Sequence, residues 1–311
     1  MENNCKYISS RGFLKSTDVH SSLPYSDITK LIYYDFSKLY YYSSNSSNSS
    51  NSSNSSNSSN SSKNNCSIYI TTSCLPEFLT IIRNIPCNFI LLSGDSDVTV
   101  SDISKYKEIL ENPKVIHWYA QNCIIKHNKI TNLPIGIDYH TISNNEEHWW
   151  GIKKSPIEQE NDLLEIIKIS KPFWERLPCC YSNFHFNLHQ NFNNPRKRAI
   201  EVIPKDCIYY EPKQISRIKS WTNQIEYAFV VSPPGGGLDC HRTWEALCLG
   251  CIVIVEKSNI DSLYDDLPVL IVNNFDEINK ELLENTIINF KNKTFNYSKL
   301  LLSYYLDKFK E

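Results

Sequence analysis

The chain has 311 residues, of which 41% are hydrophobic and 21% charged, so it reads as globular and is long enough for two domains with a core each. A net charge of −2 excludes the basic field that nucleic acid or an anionic membrane surface selects. No apolar run reaches the roughly 18 residues of a membrane span, and the N-terminus lacks the apolar core of a signal peptide. A cytoplasmic protein with no membrane span and no nucleic-acid partner is the expectation.

The elements run as follows. Residues 1–42 form an N-terminal segment with a Tyr-rich piece, LIYYDFSKLYYY. A Ser/Asn repeat at 43–62 follows, within a linker over 43–65. It cannot bury apolar area and is expected to be disordered. From residue 66 strands and helices alternate. SIYIT, NFILLSG, VIHWYA and the short run before Pro134 are predicted strands, separated by the helices LPEFLTIIRNI and SKYKEILEN. WWGIKKSP is a turn-rich break, followed by an amphipathic helix over about 157–170.

The alternation then restarts. CCYSNF, CIYYE, AFVVS, CIVIVE and PVLIV are strands, and PRKRAIEVI, QISRIKSWTNQIEY and DCHRTWEALCLG are helices. KLLLSYYLDKFK closes the chain as a helix within 291–311. Strands alternating with helices mean parallel sheets with covered faces. The expected fold is α/β, with two Rossmann-like, doubly wound domains facing a cleft, one over 66–155 and one over 156–290.

Eleven cysteines, an odd number, show no spaced framework, so reduced and buried thiols are expected. Cys248 and Cys251 form a lone CxxC pair, and no zinc site is expected from it.

The chemistry concentrates in AFVVSPPGGGLDCHRTWEALCLGCIVIV, residues 228–255. The loop after AFVVS lies at the carboxyl end of a strand, where open α/β sheets bind ligands. Gly235, Gly236 and Gly237, with no Cβ, let the backbone approach a ligand closely, and Ser232 just before them is a further candidate donor contact. Asp239 is a good N-cap, and Gly250 a good terminator, for a helix over about 240–249. Its N-terminus suits phosphate, with His241 and Arg242 adding donors in the first turn. Glu245, one turn deeper, is placed to accept from ribose hydroxyls. The loop is neither a G-x-G-x-x-G dinucleotide fingerprint nor a Walker loop, which disfavours hydride transfer and ATP hydrolysis by those designs.

SPPGGGLDCHRTWEALCLGCIVIV with the following LPVLIV resembles the C-terminal half of exostosin-like glycosyltransferases. It is also similar to the donor halves of fucosyltransferase-like enzymes. CYSNF with Arg196 and Arg198 is similar to an upstream strand-and-arginine element of such enzymes. The resemblance implies a GT-B fold, a nucleotide-sugar donor held by the second domain, Arg242 at the diphosphate and Glu245 at the ribose or sugar. It also implies transfer to an acceptor hydroxyl of a glycan, protein or small molecule.

An inverting transfer needs a base, for which Asp95, Asp97, Asp138 and His140 are candidates on loops after predicted strands. Gln121 and Asn122 are candidate acceptor contacts. Asp95-Ser96-Asp97 also matches a D-x-D that holds Mn²⁺ or Mg²⁺ against a diphosphate in the other large glycosyltransferase fold. The C-terminal site is preferred, because its glycine loop, helix dipole, Arg242 and Glu245 neutralise a diphosphate without metal. No cofactor and no metal ligand is therefore assigned, and a divalent metal is not expected. The alternative function is a non-catalytic nucleotide- or sugar-binding protein of the same fold.

Overall fold

The computed structural model describes residues 1–23, 26, 28–42, 65–188 and 191–309. The Ser/Asn repeat at 43–62, expected to be disordered, lies outside the described residues. The chain divides into two compact units, one of Phe13–Leu133 with Tyr305–Glu311, the other of Met1–Gly12 with Pro134–Tyr304. The boundary expected at 155/156 therefore falls earlier, and residues 134–155 belong to the later unit. The first 12 residues belong there too, whereas 13–42 go with the strands that follow them.

In the unit containing Phe13–Leu133, β1 (Cys66–Thr71), β2 (Phe89–Gly94), β3 (Val115–Ala120) and β4 (Ile130–Asn132) form a parallel sheet in the order β1-β2-β3-β4. β1 and β2 are buried at every position, which is why they read as apolar runs and not as alternating strands. The helices Leu75–Ile81 and Lys107–Glu111 lie on the crossovers. The strand order never reverses, so "doubly wound" does not describe this sheet.

In the other unit, β5 (Glu147–His148) and β6 (Gly151–Ile152) make a small antiparallel pair in the turn-rich break. β7 (Leu177–Ser182), β8 (Ile208–Tyr210), β9 (Tyr227–Val231), β10 (Ile252–Glu256) and β11 (Val269–Val272) form a parallel sheet. Its order is β11-β10-β9-β7-β8. Counted from β7, that is the doubly wound order 2-1-3-4-5, which reverses between β7 and β9. Phe229, Val231, Ile252 and Ile254 are fully buried within a core that continues through Ala199, Phe275 and Leu283. No helix among the described residues is long and apolar enough to cross a membrane.

The helices Pro195–Val202, Arg217–Gln224 and His241–Cys248 connect these strands. The last ends as its sequence predicts: Gly250 takes φ +75° and its N–H donates to the Leu247 carbonyl at 3.0 Å. Its start differs from expectation. Cys240, not Asp239, is the N-cap, and no side chain caps the first turn.

The P-x-G-I-D turn before the site is fixed by backbone geometry. Gly136 has φ +69°, and a Cβ there would lie 2.2 Å from the Ile8 carbonyl oxygen. The Ile137 N–H donates to that same oxygen at 2.8 Å, so the segment of Ile8 cannot retreat without losing the bond. Gly136→Ala is expected to cost at least about 2 kcal/mol, from the left-handed backbone plus the clash. Urea unfolding of the variant checks this.

Candidate functional site

The crevice at the carboxyl ends of β7 and β9 is the switch point of the sheet, the position where doubly wound sheets bind ligands. Residues from four chain segments meet there. The stretch after β9 supplies Ser232, Pro233, Pro234 and Gly235. The helix His241–Cys248 supplies Arg242, the helix Pro195–Val202 supplies Arg196, and the stretch after β7 supplies Phe184.

Arg242 donates to the Ser232 hydroxyl and to the Pro233 carbonyl, both at 3.3 Å. Its guanidinium lies over the Phe184 ring, 5.6 Å from the centroid. Arg196 is 7% exposed and donates to the carbonyls of Pro234 at 3.3 Å and Asn187 at 2.5 Å. A Cβ on Gly235 would lie 2.5 Å from an Arg196 nitrogen, so glycine there is what admits the guanidinium. Among the described residues neither arginine has a carboxylate partner. Burial, aided by the charge of Arg196, pushes the pKa of Arg242 down to about 10. It still carries its charge at neutral pH. A buried cation beside a half-buried one, with no ion-paired acid among the described residues, is held at a cost that a bound anion would offset.

Ser182, at the end of β7, is fully buried and its hydroxyl has no hydrogen-bond partner among the described residues. The buried Tyr210 hydroxyl, on the residue paired with Ser182 in register, is equally unpartnered. Such orphaned groups are uncommon in folded proteins and mark a place where water or ligand belongs.

The other residues expected at this site divide. Gly235 closes the glycine turn by donating to the Gly237 carbonyl at 3.0 Å, with Gly236 between them. Ser232 is buried and shares a 2.9 Å hydrogen bond with the Thr243 hydroxyl. Arg198 is turned to Glu256, with which it pairs at 2.6 Å, and does not join Arg196.

Asp239 is buried at 2% exposure and fully engaged. It accepts from the Ile135 N–H at 2.8 Å, the Cys240 N–H at 2.9 Å and the Trp244 indole at 2.8 Å. Burial pushes its carboxyl up to about 6, against the pull of those donors. It is a brace between the P-x-G-I-D turn and the helix start. Glu245 is likewise taken. One oxygen pairs with Arg217 and the other accepts from the Trp221 indole at 2.9 Å, so neither is offered to a ribose.

His241 donates through Nδ1–H to the Gly136 carbonyl, 2.7 Å away. Its ring centroid lies 5.6 Å from that of His140, whose Nδ1 is 3.1 Å from the Asp138 carboxylate. The structure thus joins His241, expected at the donor helix start, to Asp138 and His140, expected together on one loop. Burial alone would raise the Asp138 carboxyl. His140, His241, Arg217 and the Thr141 hydroxyl outweigh it and hold the group well below the usual carboxylate range.

Asp95 and Asp97 belong to the other unit, after β2. Asp95 is buried with φ +52°, its N–H donating to Gln121 at 2.9 Å and its carboxylate accepting from Ser26 at 3.3 Å. Asp97 is exposed. Gln121 and Asn122, expected as acceptor contacts, are both 1% exposed and brace this loop instead, Asn122 by donating to the Ser96 carbonyl at 3.4 Å.

Sequence reasoning missed Phe184 and Arg217. Phe184 looked like the tail of a strand, and Arg217 like any basic residue on an amphipathic helix. No local signal marks either. No protein-family model matches the chain, and no curated protein matches it.

Proposed function

We propose that the chain is a glycosyltransferase that holds the diphosphate of a nucleotide-sugar between Arg196 and Arg242. The observation that carries this reading is the buried Arg196 and half-buried Arg242 guanidiniums, which have no carboxylate partner among the described residues, at the β7/β9 switch point. In this reading the planar forks of both arginines take the phosphoryl oxygens, and the uncapped amides of the helix start add donors. The same groups stabilise the charge that appears on the leaving nucleotide when the glycosidic bond breaks. A GT-B enzyme carries its donor in just such a parallel-sheet domain, and the exostosin-like resemblance of residues 228–255 points the same way. The eleven free thiols suit the reducing cytoplasm.

In this reading Glu245 and Asp239 act as braces, and the donor contacts fall to Arg196, Arg242, Ser232 and the glycine turn. A melting screen of the full chain against nucleoside diphosphates and their sugars tests the reading. At saturating ligand a shift of several degrees is expected for one nucleotide class. Nucleotide release from the matching sugar should follow. A nucleotide shift without release, whatever the acceptor, would favour the non-catalytic binding protein, and no shift with any nucleotide would remove both.

A further inference from the structure

We infer that Asp138, His140 and His241 form a binding site for one divalent first-row transition-metal ion. The inference is independent of the donor assignment. Each of the three offers one ligand atom, and these atoms lie within 4.8 Å of one another. Ligand atoms around a tetrahedral zinc stand about 3.3 Å apart for bonds of about 2.0–2.1 Å, so small side-chain rotations close the set. Two imidazoles with one carboxylate suit zinc, iron or cobalt far better than magnesium or calcium, which take oxygen ligands. Three protein ligands leave at least one position open to water or to an oxygen of a bound molecule.

The surroundings support the assignment. Metal-binding histidines commonly anchor their second ring nitrogen on a carbonyl or carboxylate, which fixes the tautomer and ring direction. The Gly136 carbonyl anchors His241 through Nδ1 in this way and leaves Nε2 available. Gly136 itself is locked by its positive φ and by Ile8, so the anchor is rigid. Asp138 is held by the Thr141 N–H at 2.8 Å and its hydroxyl at 2.7 Å, while the side chain is only 6% exposed. Arg217 is a cation close by. It donates to the Asp138 main-chain carbonyl and is neutralised by Glu245, so it does not oppose a metal ion. Asp138 and His140 share a turn, whereas His241 arrives from a helix 105 residues away in sequence from Gly136, so the grouping is a product of the fold.

Cobalt(II) gives the test, because its visible bands report ligand number and type. The full-length chain, stripped with chelator, is titrated with Co²⁺ and then Zn²⁺, without nucleotide. One Co²⁺ per chain is expected, with the intense visible bands of four- or five-coordinate nitrogen and oxygen ligation and displacement by Zn²⁺. His140→Ala and His241→Gln should each weaken binding about 100-fold or more, and His148→Ala, at a half-buried histidine of the same unit outside the cluster, should not. Circular dichroism of each variant confirms folding, and the wild-type spectrum decides the matter even if a variant does not fold. Weak bands like those of aqueous Co²⁺, or unchanged binding in both folded variants, would overturn the site. So would a strong near-ultraviolet thiolate charge-transfer band, which would assign the ion to cysteines.

Discussion

Arg242→Ala is expected to abolish the nucleotide-dependent rise in melting temperature while leaving the unliganded protein as stable as wild type or slightly more so. The two halves of this outcome have one cause. Arg242 and Arg196 face the same Pro233–Gly235 backbone with no carboxylate between them, so each raises the cost of keeping the other charged and buried. Removing one relieves that repulsion. A diphosphate, in contrast, needs both. Losing one charge-assisted pair of hydrogen bonds costs about 1.5–3 kcal/mol of binding, or roughly 10- to 150-fold in affinity. Turnover should fall further, by about 100- to 1,000-fold, because negative charge builds on the leaving group in the transition state. Arg242→Lys should recover little, since an ammonium cannot reach two oxygens with a planar fork or lie flat over Phe184. Arg198→Ala, which breaks only the surface pair with Glu256, should leave affinity within about twofold. Thermal shift and isothermal titration with the responding nucleotide check the three variants, and nucleotide release from the sugar checks turnover. A variant that melts early yet keeps its nucleotide response would make Arg242 a structural residue and sink the donor assignment.

The reach of sequence reasoning here follows the distance over which each feature is encoded. β2, β9 and β10 are legible because strands buried on both faces are written as unbroken apolar runs. The end of the helix His241–Cys248 is legible because only glycine sits easily at φ +75°. The expectation of a loop and a helix start at the sheet edge is equally local, resting on PPGGG directly after AFVVS. Partner choice is not local. Asp239 looked like a cap because caps are usually aspartates before helices, but its donor Ile135 is 104 residues away. Arg242 and Glu245 have the spacing of a helical ion pair, yet Glu245 is claimed by Arg217, 28 residues upstream. The strand order is also invisible in a linear alternation of strands and helices. Both sheets read alike in sequence, and only the fold shows that one reverses and so has a switch point.

Glu245→Ala is expected to be the most destabilising single change at this edge of the sheet, by about 3–5 kcal/mol in urea unfolding. Arg217 is 5% and Glu245 12% exposed at the side chain, so the pair is largely out of water. The guanidinium is stacked over Trp221 at 4.5 Å and near Trp150 at 5.5 Å, and it also donates to Gln159 at 2.8 Å. Its Nε has no acceptor among the described residues, so Glu245 and the neutral oxygens carry all its compensation. Alanine would strand that charge and orphan the Trp221 indole together. Glu245→Gln keeps an acceptor and most of the volume, so about half the loss is expected. Replacing both partners with apolar residues, Arg217→Met with Glu245→Leu, should recover most of the stability, because the cost of a broken buried pair is the charge left behind. The double-mutant cycle separates two roles for this glutamate. A brace gives a large coupling energy with Arg217 and, in the folded Glu245→Gln protein, a nucleotide affinity close to wild type. A sugar-binding carboxylate gives little coupling and a lost affinity, and that result would return Glu245 to the ligand and require Arg217 to let it go when the donor binds.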